Sequence, residues 1–470
     1  MASILDLPAE LVIGIASYLT TEELGPLRRS CKQLERHMFE TFAKEFFTKR
    51  QFMIQRTSLQ ALVDISNHPT LSERLQEVII STDVFECDEI PREWLLRTGQ
   101  ARDMLAEAFS KLKNLRIVGL RDFNSKGRVR EGGPEALWRS YGWSKEPATT
   151  LLGMDSDTSP GSLFSLILCA LGIASSYPPD VQVILRKHNT LVPHAFIVNA
   201  TNAPVISKLK TLFLALHADN TTISRNPSCE DLLRRFLHTA TDVEVLRLNF
   251  DSRWSAASRL LTWLGTMPSA TDLKLDDPKL LDIPPAPLSH LTSLEIGMAS
   301  VSAPSLTRAL SRSNLKSFSL WRVTISDMDM TRPTAGHWEP DLWQQFLGDL
   351  SGAMNGSDSV KSILIGLIAQ VTRVVSHVPT WEKVQFCPEG TSDKGDLKVE
   401  SLHKEVKFRA RYGMSASRWL KDLSERTYVR SIHGAPESPE VDSEDEDEQS
   451  DDDSEEDEHE EADDEGDGEE

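Results

Sequence analysis

The chain reads as an α/β protein with a short helical N-terminus, a stacked array of helix–strand units and an acidic tail. Three observations predict this. The first thirty-odd residues carry an apolar stripe at helical spacing. An apolar triplet of half-buried-strand type then recurs down the middle, each copy preceded by a helix-like segment. Finally, 23 of the 72 acidic residues fall after Ser431, in a stretch with no Lys or Arg.

The N-terminal elements follow from local chemistry. Asp6 precedes Leu7-Pro8, and a proline suits a first helical turn because its missing N–H was an orphan there. Leu11, Ile15 and Leu19 recur every fourth residue, which predicts a helix ending near Leu19. Thr20 followed three residues later by Glu23 is a capping box, with Leu19 and Leu24 placed as its staple. Pro26 would forfeit an i→i−4 bond, so Gly25-Pro26 predicts a turn and a restart rather than one long helix. Leu27, Cys31 and Leu34 continue the stripe. About forty residues is near the lower limit for an independent core, so the stripe must pack on the rest of the chain or on another protein.

Leu7-Pro8-Ala9-Glu10-Leu11, Ile15, Tyr18-Leu19, Glu23-Leu24, Leu27 and Cys31-Lys32-Gln33-Leu34 resemble an F-box. Gly14 stands where many members carry a larger apolar residue, and Gln33-Leu34 replaces the frequent basic–Trp pair. The resemblance implies a helical unit that docks on a Skp-type adaptor, which joins it to a cullin–RING ubiquitin ligase. The residues it places against the adaptor are Leu7, Pro8, Leu11, Ile15, Leu19, Leu24, Leu27, Cys31 and Leu34. It covers roughly a tenth of the chain; the other reading of the stripe is a cap on the next domain.

The middle repeats a pattern of one apolar residue, two others, then apolar–x–apolar. It appears at Leu112/Leu115/Ile117, Leu209/Leu212/Leu214, Val243/Leu246/Leu248, Leu291/Leu294/Ile296 and Leu315/Phe318/Leu320. Weaker copies are Leu75/Val78/Ile80, Ala270/Leu273/Leu275, Val360/Ile363/Ile365 and Trp381/Val384/Phe386. Segments 103–112, 230–237, 256–264, 305–310 and 342–350 have helical apolar spacing and lead into strands. Most spacings between copies resemble those of leucine-rich repeats, whose motif is L-x-x-L-x-L. The missing fixed period makes them irregular, and an ordinary α/β domain is the alternative. Together the two resemblances point to the F-box proteins with irregular leucine-rich repeats, substrate receptors of a fungal type. The expected division is 1–48 for the F-box helices, 49–100 for a helical linker and first repeat or cap, 101–433 for the repeat domain and 434–470 for the tail. Two polar insertions interrupt the array, at 124–160 with Trp138, Tyr141 and Trp143, and at 327–340 with Trp338. Residues 406–428 read as a terminal helical cap.

The formal charge of −21 belongs to the tail, since the remainder holds 51 basic against 49 acidic residues. From Ala435 onward the chain cannot bury enough apolar surface to offset ordering entropy, and disorder is expected. Ser443, Ser450 and Ser454 precede acidic residues and resemble sites for a kinase of the casein-kinase type, whose product would add charge to an acidic run. Such a tail solubilises, or binds histones and other basic proteins.

Several function classes are disfavoured. Five scattered cysteines without a C-x-x-C argue against a disulfide framework or zinc site and for a reducing compartment. No secretory signal is visible. The longest apolar stretch, 163–174, is too short to span a bilayer and reads as a buried helix. No P-loop, dinucleotide fingerprint, nucleophile elbow or zinc-protease motif occurs, and no cofactor or metal is implied. The body lacks the basic patch of a direct nucleic-acid binder. The expectation is a non-catalytic subunit in the cytoplasm or nucleus: the substrate-recognition component of a Skp–cullin–F-box ligase with an unknown protein target. The alternative resembles the acidic leucine-rich nuclear phosphoproteins, binding histones with no link to ubiquitin.

Overall fold

The computed structural model describes residues 4–83, 92–126, 137–138, 140–141, 159–186, 190–216, 228–250, 257–266, 288–312, 314–326, 341–354, 359–375, 378–390, 401–410 and 414–429. The tail with Ser443, Ser450 and Ser454, the copy at Ala270/Leu273/Leu275, and Trp143 and Trp338 lie outside the described residues.

Three helices open the chain: α1 (Ala9–Ala16), α2 (Thr21–Ser30) and α3 (Lys32–Phe47). Then come β1 (Lys49–Met53), α4 (Arg56–Asn67), α5 (Leu71–Arg74), β2 (Glu77–Ser81), α6 (Arg92–Arg97), α7 (Gln100–Lys111) and β3 (Ile117–Arg121). A small ladder of β4 (Ser125–Lys126) and β5 (Leu137–Trp138) precedes α8 (Pro160–Ile173), β6 (Asp180–Ile184), α9 (Ala203–Ser207) and β7 (Thr211–Leu216). The chain continues through α10 (Ser228–Thr239), β8 (Val245–Phe250), α11 (Ser258–Gly265), β9 (Ser293–Gly297), β10 (Ser300–Val301) and α12 (Ala303–Leu310). Next are β11 (Ser317–Trp321), β12 (Thr324–Ser326), α13 (Leu342–Ala353), β13 (Ser362–Gly366) and β14 (Ala369–Val375). The described chain closes with β15 (Val378–Phe386), β16 (Glu405–Arg409), α14 (Ala416–Glu425) and β17 (Thr427–Val429).

Among the described residues, ten strands form one sheet in the order β1-β2-β3-β6-β7-β8-β9-β11-β13-β16. Neighbours in the sheet are successive along the chain apart from strands that belong to the two smaller sheets, and all pair in parallel except β16, which is antiparallel to β13. Helices connect the strands and pack on one another in turn, α4 on α7, α7 on α8, α11 on α12, α12 on α13 and α13 on α14. One apolar core runs from Phe52 to Val429 between the two layers. Leu212, Leu246, Leu294, Phe318 and Ile363 share a register row and are all buried. Stacking thus buries surface that no single unit could bury alone. The stretch expected as a buried helix is α8, whose Leu163, Phe164, Ile167, Leu168 and Leu171 lie inside.

Within 49–100, expected to hold a helical linker and a first repeat or cap, β1 and β2 are members of the main sheet. Three expectations change. In β3 the inward residues are Leu115, Val118 and Leu120, while Ile117 is half-buried; the copy placed at Leu112/Leu115/Ile117 is shifted by three. Trp381/Val384/Phe386 belongs to β15 in a second sheet, ordered β10-β12-β14-β15-β17, where β15 runs antiparallel to both neighbours. Segment 406–428 is not one helical cap: β16 closes the sheet, α14 covers it and β17 joins the second sheet. Alternation of Val406 with Phe408 carries too few residues to distinguish a strand from one helical turn.

Candidate partner-binding face

Helices α1 to α3 enclose a small core of their own, built from Val12, Ala16, Leu24, Leu34, Met38 and Phe46. Leu7, Leu27, Cys31, Phe42 and Phe47 pack against it, and Phe47 also touches the main core. The geometry is set locally. Helix α1 begins after Pro8, whose carbonyl accepts from the Leu11 and Val12 amides at 3.1 and 3.2 Å. It ends at Ala16, with Ser17 as its C-cap, three residues before Leu19. The capping box is formed: the Glu23 amide donates to Thr20 Oγ1 at 3.3 Å and the Thr20 amide donates to Glu23 Oε2 at 2.9 Å. Those bonds from the Thr20 backbone and hydroxyl hold the Glu23 carboxyl below its usual value.

Pro26 does not break α2, which runs unbroken to Ser30. The proline forfeits one bond, to the Glu22 carbonyl near the helix start, which the capping box helps to offset. The break comes instead at extended Cys31, whose Sγ accepts from the Leu34 amide at 3.5 Å and caps α3. Arg28 ties the two helices together. Its Nη2 and Nε donate to Glu35 at 2.6 and 3.0 Å, and its guanidinium lies 3.2 Å from the Phe42 ring centroid.

The predicted stripe divides into two faces. Leu24 and Leu34 are each 3% exposed and point into the small core, so they support the module rather than a surface. Leu7, Leu19, Leu27 and Cys31 are half-buried, while Pro8, Leu11 and Ile15 are exposed. Leu11 is 55% and Ile15 43% exposed, about 100° around α1 from the buried Val12 and Ala16. Tyr18 at 91%, with Ile4 and Leu5 at 37% and 38%, extends the apolar surface. The Leu5 carbonyl accepts from Gln33 Nε2 at 3.1 Å, which fixes this N-terminal turn against α3. Ile4, Leu5 and Tyr18 fell outside the predicted set; their signal was sequence proximity to Leu7 and the Ile15–Leu19 step.

Elsewhere the perturbed groups are structural. Burial lowers Arg92 to about 10, against the opposing charges of Glu93 and Asp83, and its Nη1 donates to the Thr82 carbonyl at 3.1 Å. Burial also lowers Arg312, which donates to the carbonyls of Leu264 and Leu288 and so clamps two segment ends. Among the described residues no group of three or more His, Cys, Asp or Glu is placed to hold a metal, and no helix is long and apolar enough to cross a membrane. Tyr141 is 41% exposed and rests against Phe52 and Arg50, anchoring one polar insertion to the edge strand β1.

No family model matches the chain, and no curated protein matches it. Among solved structures, the chain is similar to one described as the crystal structure of the Rad7 and Elc1 complex in yeast. The TM-score is 0.29 at 14% identity, covering 76% of this chain and 70% of that one.

Proposed function

We propose that this chain is the substrate-recognition subunit of a Skp–cullin–F-box ubiquitin ligase. The module α1–α3 binds a Skp-type adaptor, and the helix–strand array, an irregular leucine-rich-repeat solenoid, holds a protein target. The observation that carries the reading is the apolar face of α1. Its module has already filled a core with Val12, Ala16, Leu24 and Leu34, yet Leu11, Ile15 and Tyr18 stay in water. A clustered apolar surface of this kind marks an interaction site. Burying one such side chain fully is worth roughly 1.5–3 kcal/mol, so three or four suffice for a stable contact.

In this reading the chain contributes proximity and no chemistry. A bound target lysine meets a raised effective concentration of activated ubiquitin delivered by the ligase, in the cytoplasm or the nucleus. The test is capture from cell extract with the full-length chain, a Leu11→Asp/Ile15→Asp variant and a Leu7→Ala/Pro8→Ala variant. The intact chain is expected to recover adaptor and cullin, and both variants to lose them while their melting curves stay close to the parent's. Equal recovery by all three, or none by any, overturns the proposal.

A further inference from the structure

The last three strands of the main sheet carry an uneven charge. Phe318, Leu320, Ile363, Ile365 and Phe408 face the core, and the alternate positions face outward. In register across the outward side, Ser293, Ser317, Ser362 and Arg409 form one row, and Glu295, Ser319, Leu364 and Lys407 form the next, with Glu295 paired to Arg247 of β8 on the side away from β11. Lys316 and Lys361 directly precede β11 and β13, and the Lys361 amide donates to the Lys316 carbonyl at 2.6 Å. Across 315–323, 359–368 and 402–410 there are six Lys or Arg against one acidic residue, Glu405, which Lys407 holds at 2.9 Å. Trp321 is half-buried and its indole lies over Gly366, where an added Cβ would enter the ring. Hydroxyls on the floor, one aromatic plane and a cationic rim suit an extended run of carboxylates.

Such a run is present in the same chain. All 23 acidic residues after Ser431 lie between Glu437 and Glu470, while the rest of the molecule is close to neutral. The attachment point is near. The tail leaves β17 at Val429, which pairs with Val384, two residues along β15 from Phe386, and Phe386 bridges to His403, two residues ahead of β16. Two strand spacings and two residues along β15 amount to at most about 17 Å. Each extended residue adds about 3.3 Å, so residues 430–436 alone can carry Glu437 across that distance. A tether of this length gives an effective concentration of order millimolar.

We infer that residues 437–470 occupy the outward face of β11, β13 and β16 in cis. An acidic segment of a protein target then has to displace the tail to reach that face. Phosphate on Ser443, Ser450 or Ser454 adds charge to the occupant and tightens the contact.

The experiment is zero-length carbodiimide coupling of lysine to carboxylate on the full-length chain, with coupled sites mapped by mass spectrometry in the monomer fraction. Tail carboxylates are expected to join Lys316, Lys361 and Lys407. Yield should fall about tenfold when salt rises from about 0.05 to about 0.5 M, because exposed pairs are screened. A Ser317→Glu/Ser362→Glu variant retains every lysine and should lose the coupling to a similar degree. Coupling spread evenly onto Lys111, Lys208 and Lys210, coupling confined to dimers, or a variant that couples like the parent each overturn the inference. The salt series on the unaltered chain decides the matter if the variant does not fold. Adaptor capture is not part of the readout, so this inference and the ligase proposal fail separately.

Discussion

Met298, Arg322 and Leu367 share one backbone state, with φ of 53°, 54° and 51°. Each directly follows a main-sheet strand, β9, β11 or β13, and each amide donates to the next strand's end, to Trp321, Gly366 and Lys404 respectively. The left-handed turn swings the chain from the main sheet into β10, β12 or β14. Holding a non-glycine residue there costs roughly 1–2 kcal/mol. Arg322→Gly removes that cost but frees the unfolded chain, so urea unfolding should show it neutral or slightly more stable. Arg322→Val places a β-branched residue in that region and should lose about 2 kcal/mol or more; equal midpoints for the two variants would refute the assignment. Asp180 gives a second prediction. Burial raises its carboxyl, against the Thr211 hydroxyl bond and the charges of Arg116 and Lys210. A raised folded pKa favours the protonated form, so its contribution is full below the unfolded value near 4 and is lost as pH rises through the folded pKa. Asp180→Asn should therefore match the parent near pH 3 and exceed it at pH 7, by less than about 1 kcal/mol because the group is half exposed. A parent more stable than the variant at neutral pH contradicts this.

Helix α1 separates a core-facing row from an exposed row by one residue's rotation, about 100°. Val12 and Ala16 fill the small core, whereas Leu11 and Ile15 point away from it. Leu24→Ala should lower the module's stability by about 2–5 kcal/mol, while Leu11→Ala should change it by less than about 0.5 kcal/mol and still weaken adaptor capture. Comparable thermal shifts for the two would merge the faces again. Sequence resolves some of this and not the rest, for physical reasons. The Thr20–Glu23 box is wholly local and is read directly from spacing. The division of the stripe depends on where α3 lies, and Leu24 and Leu34 fit either face by pattern alone. Strand β6 was missed because Pro178 stands where other units have Leu or Val, although Val181 and Val183 are as buried as their neighbours. In β3, Leu112, Leu115, Ile117, Val118 and Leu120 offer two overlapping triplets, and only pairing with Val78 and Val181 selects Leu115/Val118/Leu120. The candidate face was legible as the stripe from Leu7 through Tyr18 and Leu19, but its extension to Ile4 and Leu5, and the outward position of Tyr18, needed the exposure of each side chain.

At the scale of the whole molecule, the order of strands decides how damage spreads. Among the described residues each strand of the main sheet pairs with its sheet neighbours, so a lesion in one helix–strand unit is expected to reach the adjoining units first. Phe236 sits in the middle of that chain of contacts, fully buried and 5.9 and 5.5 Å from the rings of Phe164 and Phe196. Phe236→Ala should cost about 3–5 kcal/mol and raise amide exchange on both sides of the lesion, in α8 and β7 as well as α10 and β8. The N-terminal module stands apart, since its core is separate and its apolar link to the array is Phe47. The Arg74–Glu40 ion pair and the Phe39–His68 contact add little at an exposed seam. Met38→Ala should therefore accelerate exchange within residues 9–47 and leave the array protected. Exchange that spreads from Met38→Ala into β7 and β8, or stays confined to α10 in Phe236→Ala, would show one cooperative body in place of a module joined to an array.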